Sequence, residues 1–229
     1  MDDLARELAL LKEFGYTHLD FQVAAPVADS RSREVATDVL RDSETPQLGD
    51  LEVEARVCTK CRLANTRTQV VWGTGTPNAD LMFIGEAPGR DEDLQGKPFV
   101  GRAGQLLTDI IKAMQLTRDD VYIANVIKCR PPENRNPEPD ELEQCRPHIL
   151  RQIELIQPKV IVTLGKFALQ SLTGKAFTIS SVRGQWLDWN GIKVMPTYHP
   201  AYLLRTPSAK KDVWADMKQV MAELGLSRA

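Results

Sequence analysis

The chain has 229 residues, of which 42% are apolar and 26% charged, and its formal net charge is −2. That composition belongs to a folded globular protein of one catalytic-sized domain plus an appendage, and no window approaches the ~18 apolar residues of a membrane span. The acidic start MDDLARELAL fits neither a secretory signal nor a transit peptide, so a cytoplasmic location is expected.

Charge is spread unevenly. Residues 1–57 hold 6 Lys/Arg against 13 Asp/Glu, whereas residues 58–229 hold 23 against 18. An acidic leader therefore masks a mildly basic body, which can hold a phosphate backbone locally. Charge alone does not decide the matter, because an excess of that size over that length is common.

In chain order, Leu4, Leu8, Leu11 and Phe14 recur at helical spacing and predict an amphipathic helix over 2–14. From Ala24 to Asp50 the chain is polar and charge-rich and reads as a linker. A boundary near Leu48 divides residues 1–47 from a catalytic domain over 48–229. Beyond it, apolar runs alternate with helical patterns. Strands are predicted over 80–85, 121–127, 159–165 and 192–195. Helices are predicted over 104–115, 139–156, 166–172 and 208–224. Such alternation predicts a three-layer α/β/α sandwich around a central, mainly parallel four-stranded sheet. Ligands bind such sheets at the carboxyl ends of the strands. That rule selects the loop after Gly85, the strand end at Asn125 and the segment after Pro196.

Four cysteines punctuate this body: Cys58, Cys61, Cys129 and Cys145. Cys58-Thr-Lys-Cys61 is a C-x2-C pair able to converge on one metal centre, and Cys129 and Cys145 form a second pair 16 positions apart. Four thiolates from two distant pairs suit zinc or an iron–sulfur cluster, and spacing does not separate the two. Disulfides do not fit a chain without a secretion signal.

Three segments join these cysteines in a specific pattern. They are Gly85-Glu-Ala-Pro-Gly-Arg-Asp-Glu-Asp93 with Gly96-Lys-Pro-Phe-Val-Gly101, then Asn125-Val-Ile-Lys-Cys-Arg-Pro-Pro132, then His199-Pro-Ala-Tyr-Leu-Leu-Arg205. In this order, from Cys58 to about Lys218, they resemble the family 4, iron–sulfur uracil-DNA glycosylases. The resemblance implies the uracil-DNA glycosylase fold and a structural [4Fe–4S] cluster on the four cysteines. It also implies base excision repair: uracil is flipped from single- or double-stranded DNA by a monomer and released, leaving an abasic site. A relative that traps the abasic sugar on a histidine has an inserted basic loop. The stretch between Asn125 and Cys145 has neither insertion nor histidine, so ordinary turnover is expected.

The resemblance assigns roles residue by residue. His199 is expected to offer a neutral imidazole N–H to uracil O2 as charge develops there. Asn125 is expected to read the Watson–Crick edge, giving N–H to O4 and accepting from N3–H, a pattern that cytosine reverses. Phe99 supplies an aromatic face, and Gly85, Glu86 and Ala87 line the base. Ala87 stands where better-known uracil glycosylases carry a water-positioning aspartate, so leaving-group stabilisation must dominate. Glu92, the second expected catalytic residue, either lines the pocket near C5 or helps the water, unless its DED run is only a solvated face. Leu203 is expected to fill the gap left by the flipped base, and Arg205 to contact phosphate. Lys210 and Lys211 read as an ordinary solvated helix start.

One alternative is a non-catalytic, metal-stapled nucleic-acid binding module of the kind that could be attached to a polymerase. Such a module needs no convergent pocket of His199, Asn125 and Phe99. A zinc hydrolase would need an open metal position, which four cysteines close.

Overall fold

The computed structural model describes residues 47–226. The helix expected over 2–14, and the linker up to its last four positions, lie outside the described residues. In chain order the elements are α1 (Leu48–Arg56), β1 (Thr74–Gly75), β2 (Leu81–Gly85), α2 (Arg90–Gln95), α3 (Arg102–Ala113), β3 (Tyr122–Asn125) and α4 (Pro139–Ile156). There follow β4 (Val160–Leu164), α5 (Lys166–Thr173), α6 (Ile179–Val182), β5 (Leu187–Trp189), β6 (Ile192–Thr197), α7 (Pro200–Arg205) and α8 (Lys210–Glu223).

The sheet runs β1-β3-β2-β4-β6-β5. Its four central strands are parallel and are the four predicted ones. Two short edge strands, β1 and β5, pair antiparallel outside them and make the sheet six-stranded and mixed. Sequence reading missed both edges because strands of two and three residues leave no periodicity to detect.

Side chains leave the central strands alternately, and each face meets its own helices. Leu81 and Phe83 of β2, Ile123 of β3 and Val160 and Val162 of β4 join Leu107 and Ile111 of α3 and Trp214 and Met217 of α8. Met82, Ile84, Ala124 and Ile161 point the other way, against Leu51 and Ala55 of α1, Ile149 and Ile153 of α4 and Leu169 of α5. β2, β3 and β4 are buried throughout, as a parallel sheet covered on both faces requires. The α/β/α layering is therefore the predicted one. Among the described residues, no helix is long and apolar enough to cross a membrane.

The carboxyl end of β6 is anchored by a buried polar cluster. Thr197 donates its hydroxyl to the Asp216 carboxylate at 2.6 Å. Arg183 donates from Nε to the same carboxylate at 3.1 Å, pairs with it again through Nη2, and gives a further N–H to the Asp212 carbonyl at 2.7 Å. Asp216 is fully buried. The cluster fixes the last residue of β6 two positions before His199. Removing one partner of a buried, hydrogen-bonded pair leaves the other charge uncompensated. Asp216→Ala should therefore lower the urea-unfolding free energy by about 3–5 kcal/mol; a loss under about 1 kcal/mol would show that the cluster is not an anchor.

Candidate active site

Three parallel strands deliver the predicted pocket residues to one edge. Gly85 and Asn125 are register partners at the ends of β2 and β3. The ladder continues past them, with Val126 and Ile127 donating N–H to the carbonyls of Gly85 and Glu86, both at 3.0 Å. Asn125 is buried, and its Oδ1 takes no hydrogen bond from the protein. An orphaned buried acceptor is costly unless something else satisfies it, so this oxygen is available to a ligand N–H. A Cβ on Gly85 would lie 2.4 Å from both Asn125 Oδ1 and Phe99 Cζ. Only glycine leaves the amide and the ring side by side.

Phe99 arrives from the loop between α2 and α3, and its ring centroid lies 5.6 Å from that of His199 at an interplanar angle of 34°. His199 follows β6 and caps α7: its Nδ1 accepts the Ala201 N–H at 3.1 Å. That bond assigns the tautomer, because a ring nitrogen that accepts carries no proton, and the neutral ring must then hold its hydrogen on Nε2. Burial, reinforced by the nearby Arg205 cation, pushes the imidazole down to about 4. His199 is thus a neutral Nε2–H donor at physiological pH. Asn125, Phe99 and His199 form one pocket.

Glu86 and Ala87 are half-buried beside it. Burial pushes the Glu86 carboxyl up to about 7, against the pull of the Lys166 cation. Lys166 opens α5 directly after Gly165, whose Cβ position would lie 3.4 Å from His199 Cβ. Sequence reading did not single out this lysine, since one Lys at a helix start carries no pattern.

Two expectations are corrected. Glu92 is neither a free base nor a solvated acid. Its Oε1 accepts the N–H groups of Val100 and Gly101, each at 2.9 Å, and its Oε2 accepts that of Gly89 at 3.1 Å. A carboxylate committed to three backbone donors holds loops together. Leu203 is fully buried in the core and is no surface wedge. The helical turn after His199 points it inward and leaves Tyr202 and Leu204 as the exposed apolar side chains of α7, with Leu204 40% accessible. Arg205 is exposed on the same turn, and Lys210 and Lys211 open α8.

The four cysteines line one cavity together with Arg67, Lys128 and His148. Arg67 donates to Cys129 Sγ at 3.2 Å and to the Cys58 carbonyl at 2.8 Å, and the Lys128 N–H points at Cys145 Sγ at 3.3 Å. Burial raises the Cys129 thiol and pushes that of Cys145 up to about 12. Thiolates persist there only with a compensating positive centre. Among the described residues, no group of three or more His, Cys, Asp or Glu side chains stands close enough to hold a metal ion as placed, although all four sulfur-bearing residues line the one cavity. Lys128, which sequence reading passed over, is buried between this cavity and the pocket. Its Nζ donates to the carbonyls of Asn125 and Trp72 at 2.8 and 3.1 Å and to Gln152 Oε1 at 2.5 Å.

Residues 72–218 match the model of the uracil-DNA glycosylase superfamily. A type-4 uracil-DNA glycosylase of Thermotoga maritima is 52% identical over 153 residues, covering 66% of this chain and 80% of that protein. One of Archaeoglobus fulgidus is 46% identical over 181 residues, covering 76% and 91%. The chain belongs to the type-4 uracil-DNA glycosylases. A DNA polymerase of Bacillus phage SP01 is also similar, at 32% identity, but the match covers only 16% of that protein.

The protonation state of His199 can be tested directly. An imidazole at its ordinary value would charge as pH falls through 6.5, whereas this one stays neutral until pH falls to about 4. Long-range nitrogen-15 spectra, assigned against His199→Gln, should show an Nε2–H neutral ring at pH 7 and no titration near 6.5. An imidazolium signal growing in at that pH would overturn the assignment.

Proposed function

We propose that the chain hydrolyses the N-glycosidic bond of uracil extruded from DNA, with stabilisation of the departing base as the dominant catalytic effect. One observation carries this reading: a neutral histidine with its Nδ1 already bonded presents Nε2–H beside a buried amide and an aromatic face. As the bond between C1′ and N1 breaks, its electron pair passes to the base, and negative charge collects on O2. The His199 Nε2–H donates to that oxygen, acting as an oxyanion donor. Asn125 Oδ1 accepts N3–H while its amide N–H reaches O4, and the base stacks on Phe99. Water adds to C1′, which yields free uracil and an abasic site. Ala87 carries no carboxylate where the better-known uracil glycosylases place a water-positioning aspartate, and Glu86 beside it is held toward its neutral form by burial, so activation of that water is the lesser effect.

The DNA is held outside the pocket by Arg205 through phosphate contact, and Tyr202 and Leu204 are the α7 side chains available to the gap in the stack. Uracil in single- or double-stranded DNA is the proposed substrate, and one chain supplies every pocket residue. Cys58, Cys61, Cys129 and Cys145 would hold a [4Fe–4S] cluster, which supplies no chemistry to the bond cleavage and ties α1 and the segment after β3 to α4. N–H donors to two of the sulfurs and the resemblance to the iron–sulfur glycosylases favour a cluster over zinc. A binding module without activity would have no use for an orphaned amide and a neutral histidine on one aromatic ring.

His199→Ala should slow single-turnover release of uracil by about 10²–10³. Binding to uracil-containing DNA should change little, since affinity comes mainly from phosphate contacts. Near-normal cleavage by this variant would remove leaving-group stabilisation from the mechanism. Purified protein should be brown and carry about four irons per chain. One zinc and no iron would refute the cluster. Removing the iron should unfold the α1 and α4 layer, because metal binding is coupled to folding.

A further inference from the structure

Phe99 holds its ring in the pocket from a backbone conformation that a bulky residue disfavours. Its φ is 53°, in the left-handed region, and such strain persists only where the surroundings impose it. Three contacts impose it. Gly104 of α3 presses on the turn so closely that a Cβ there would lie 1.9 Å from the Phe99 carbonyl carbon. Glu92 holds the Val100 and Gly101 N–H groups on one side. On the other side stands Arg118, from the loop between α3 and β3. It donates Nη2 to the Pro98 carbonyl at 2.7 Å, Nη1 to the Phe99 carbonyl at 3.1 Å, and Nη1 again to Thr108 Oγ1 at 3.2 Å.

We propose that Arg118 is a positioning residue for uracil recognition, which sets the plane of the Phe99 ring by gripping two successive carbonyls of its loop. The inference rests on the reading of Phe99 as the face on which the base stacks. The planar fork of a guanidinium spans two carbonyls and a hydroxyl at once. A lysine ammonium on a flexible stem lacks that geometry, so the charge alone does not suffice. The Arg118 guanidinium is committed to acceptors within the Phe99 loop and on α3. Its loss should therefore weaken the grip on the base and leave the grip on DNA intact.

The test uses the full iron-loaded chain and two probes: free uracil as an inhibitor of cleavage, and a duplex carrying a stable abasic analogue for DNA affinity. Arg118→Met and Arg118→Lys should each raise the uracil inhibition constant about tenfold, with affinity for the abasic duplex unchanged. Arg118→Lys keeps size and charge, and so reports the geometry even if Arg118→Met folds poorly. In a Phe99→Ala background, Arg118→Lys should add less than about twofold, because the ring through which it acts is gone. A full tenfold effect in that background would overturn the proposal, and so would unchanged uracil inhibition in Arg118→Lys while Phe99→Ala weakens it. If Phe99→Ala itself leaves uracil inhibition unaltered, the stacking reading falls, and this inference falls with it.

Discussion

Keeping an imidazole uncharged beside a polyanion is the constraint on which this site depends. Phosphate groups favour cations, so an exposed histidine at a DNA surface would gain a proton as the substrate approached. Here burial disfavours the charged ring, the nearby Arg205 cation opposes it, and the Ala201 N–H occupies the nitrogen that a proton would otherwise take. All three follow from placing the histidine as the cap of a short helix at the end of a buried strand. The anchor of Thr197, Asp216 and Arg183 lies just upstream and gives that cap a fixed origin.

The remainder of the pocket is built by close approach. Gly85 lets the Asn125 amide and the Phe99 ring come together, and Gly104 lets α3 come up under the Phe99 turn. Glu92 spans the loops on either side of α2 and turns two flexible segments into one wall. Of the residues expected in the site, Glu92 is thus the one whose place changes, from the pocket to the loops that hold Phe99.

Much of this was legible in the sequence. The four central strands announced themselves by short apolar runs, two of them ending in Gly, and the rule for carboxyl ends of parallel strands selected Gly85, Asn125 and the segment after Pro196. Cys58, Cys61, Cys129 and Cys145 read as one site because two pairs at those spacings have few other uses. What stayed hidden was the direction in which side chains point. Glu92 looked like a pocket acid because sequence shows a carboxylate and not the N–H groups it accepts. Leu203 and Leu204 are neighbours of identical type, and only the helical phase of α7 decides which one is buried. Arg118 and Lys128 are single basic residues whose partners lie on other elements, which no local pattern can reveal.

The order of these parts along the chain has a consequence for biosynthesis. All four cysteines lie upstream of β4, so the thiols that would hold a metal are all translated before the second half of the sheet. The cluster of Gly85, Phe99, Asn125 and His199, in contrast, is complete only once β6, the last strand, has been made. Were the thiols loaded as soon as they met, the staple would precede the site that it supports.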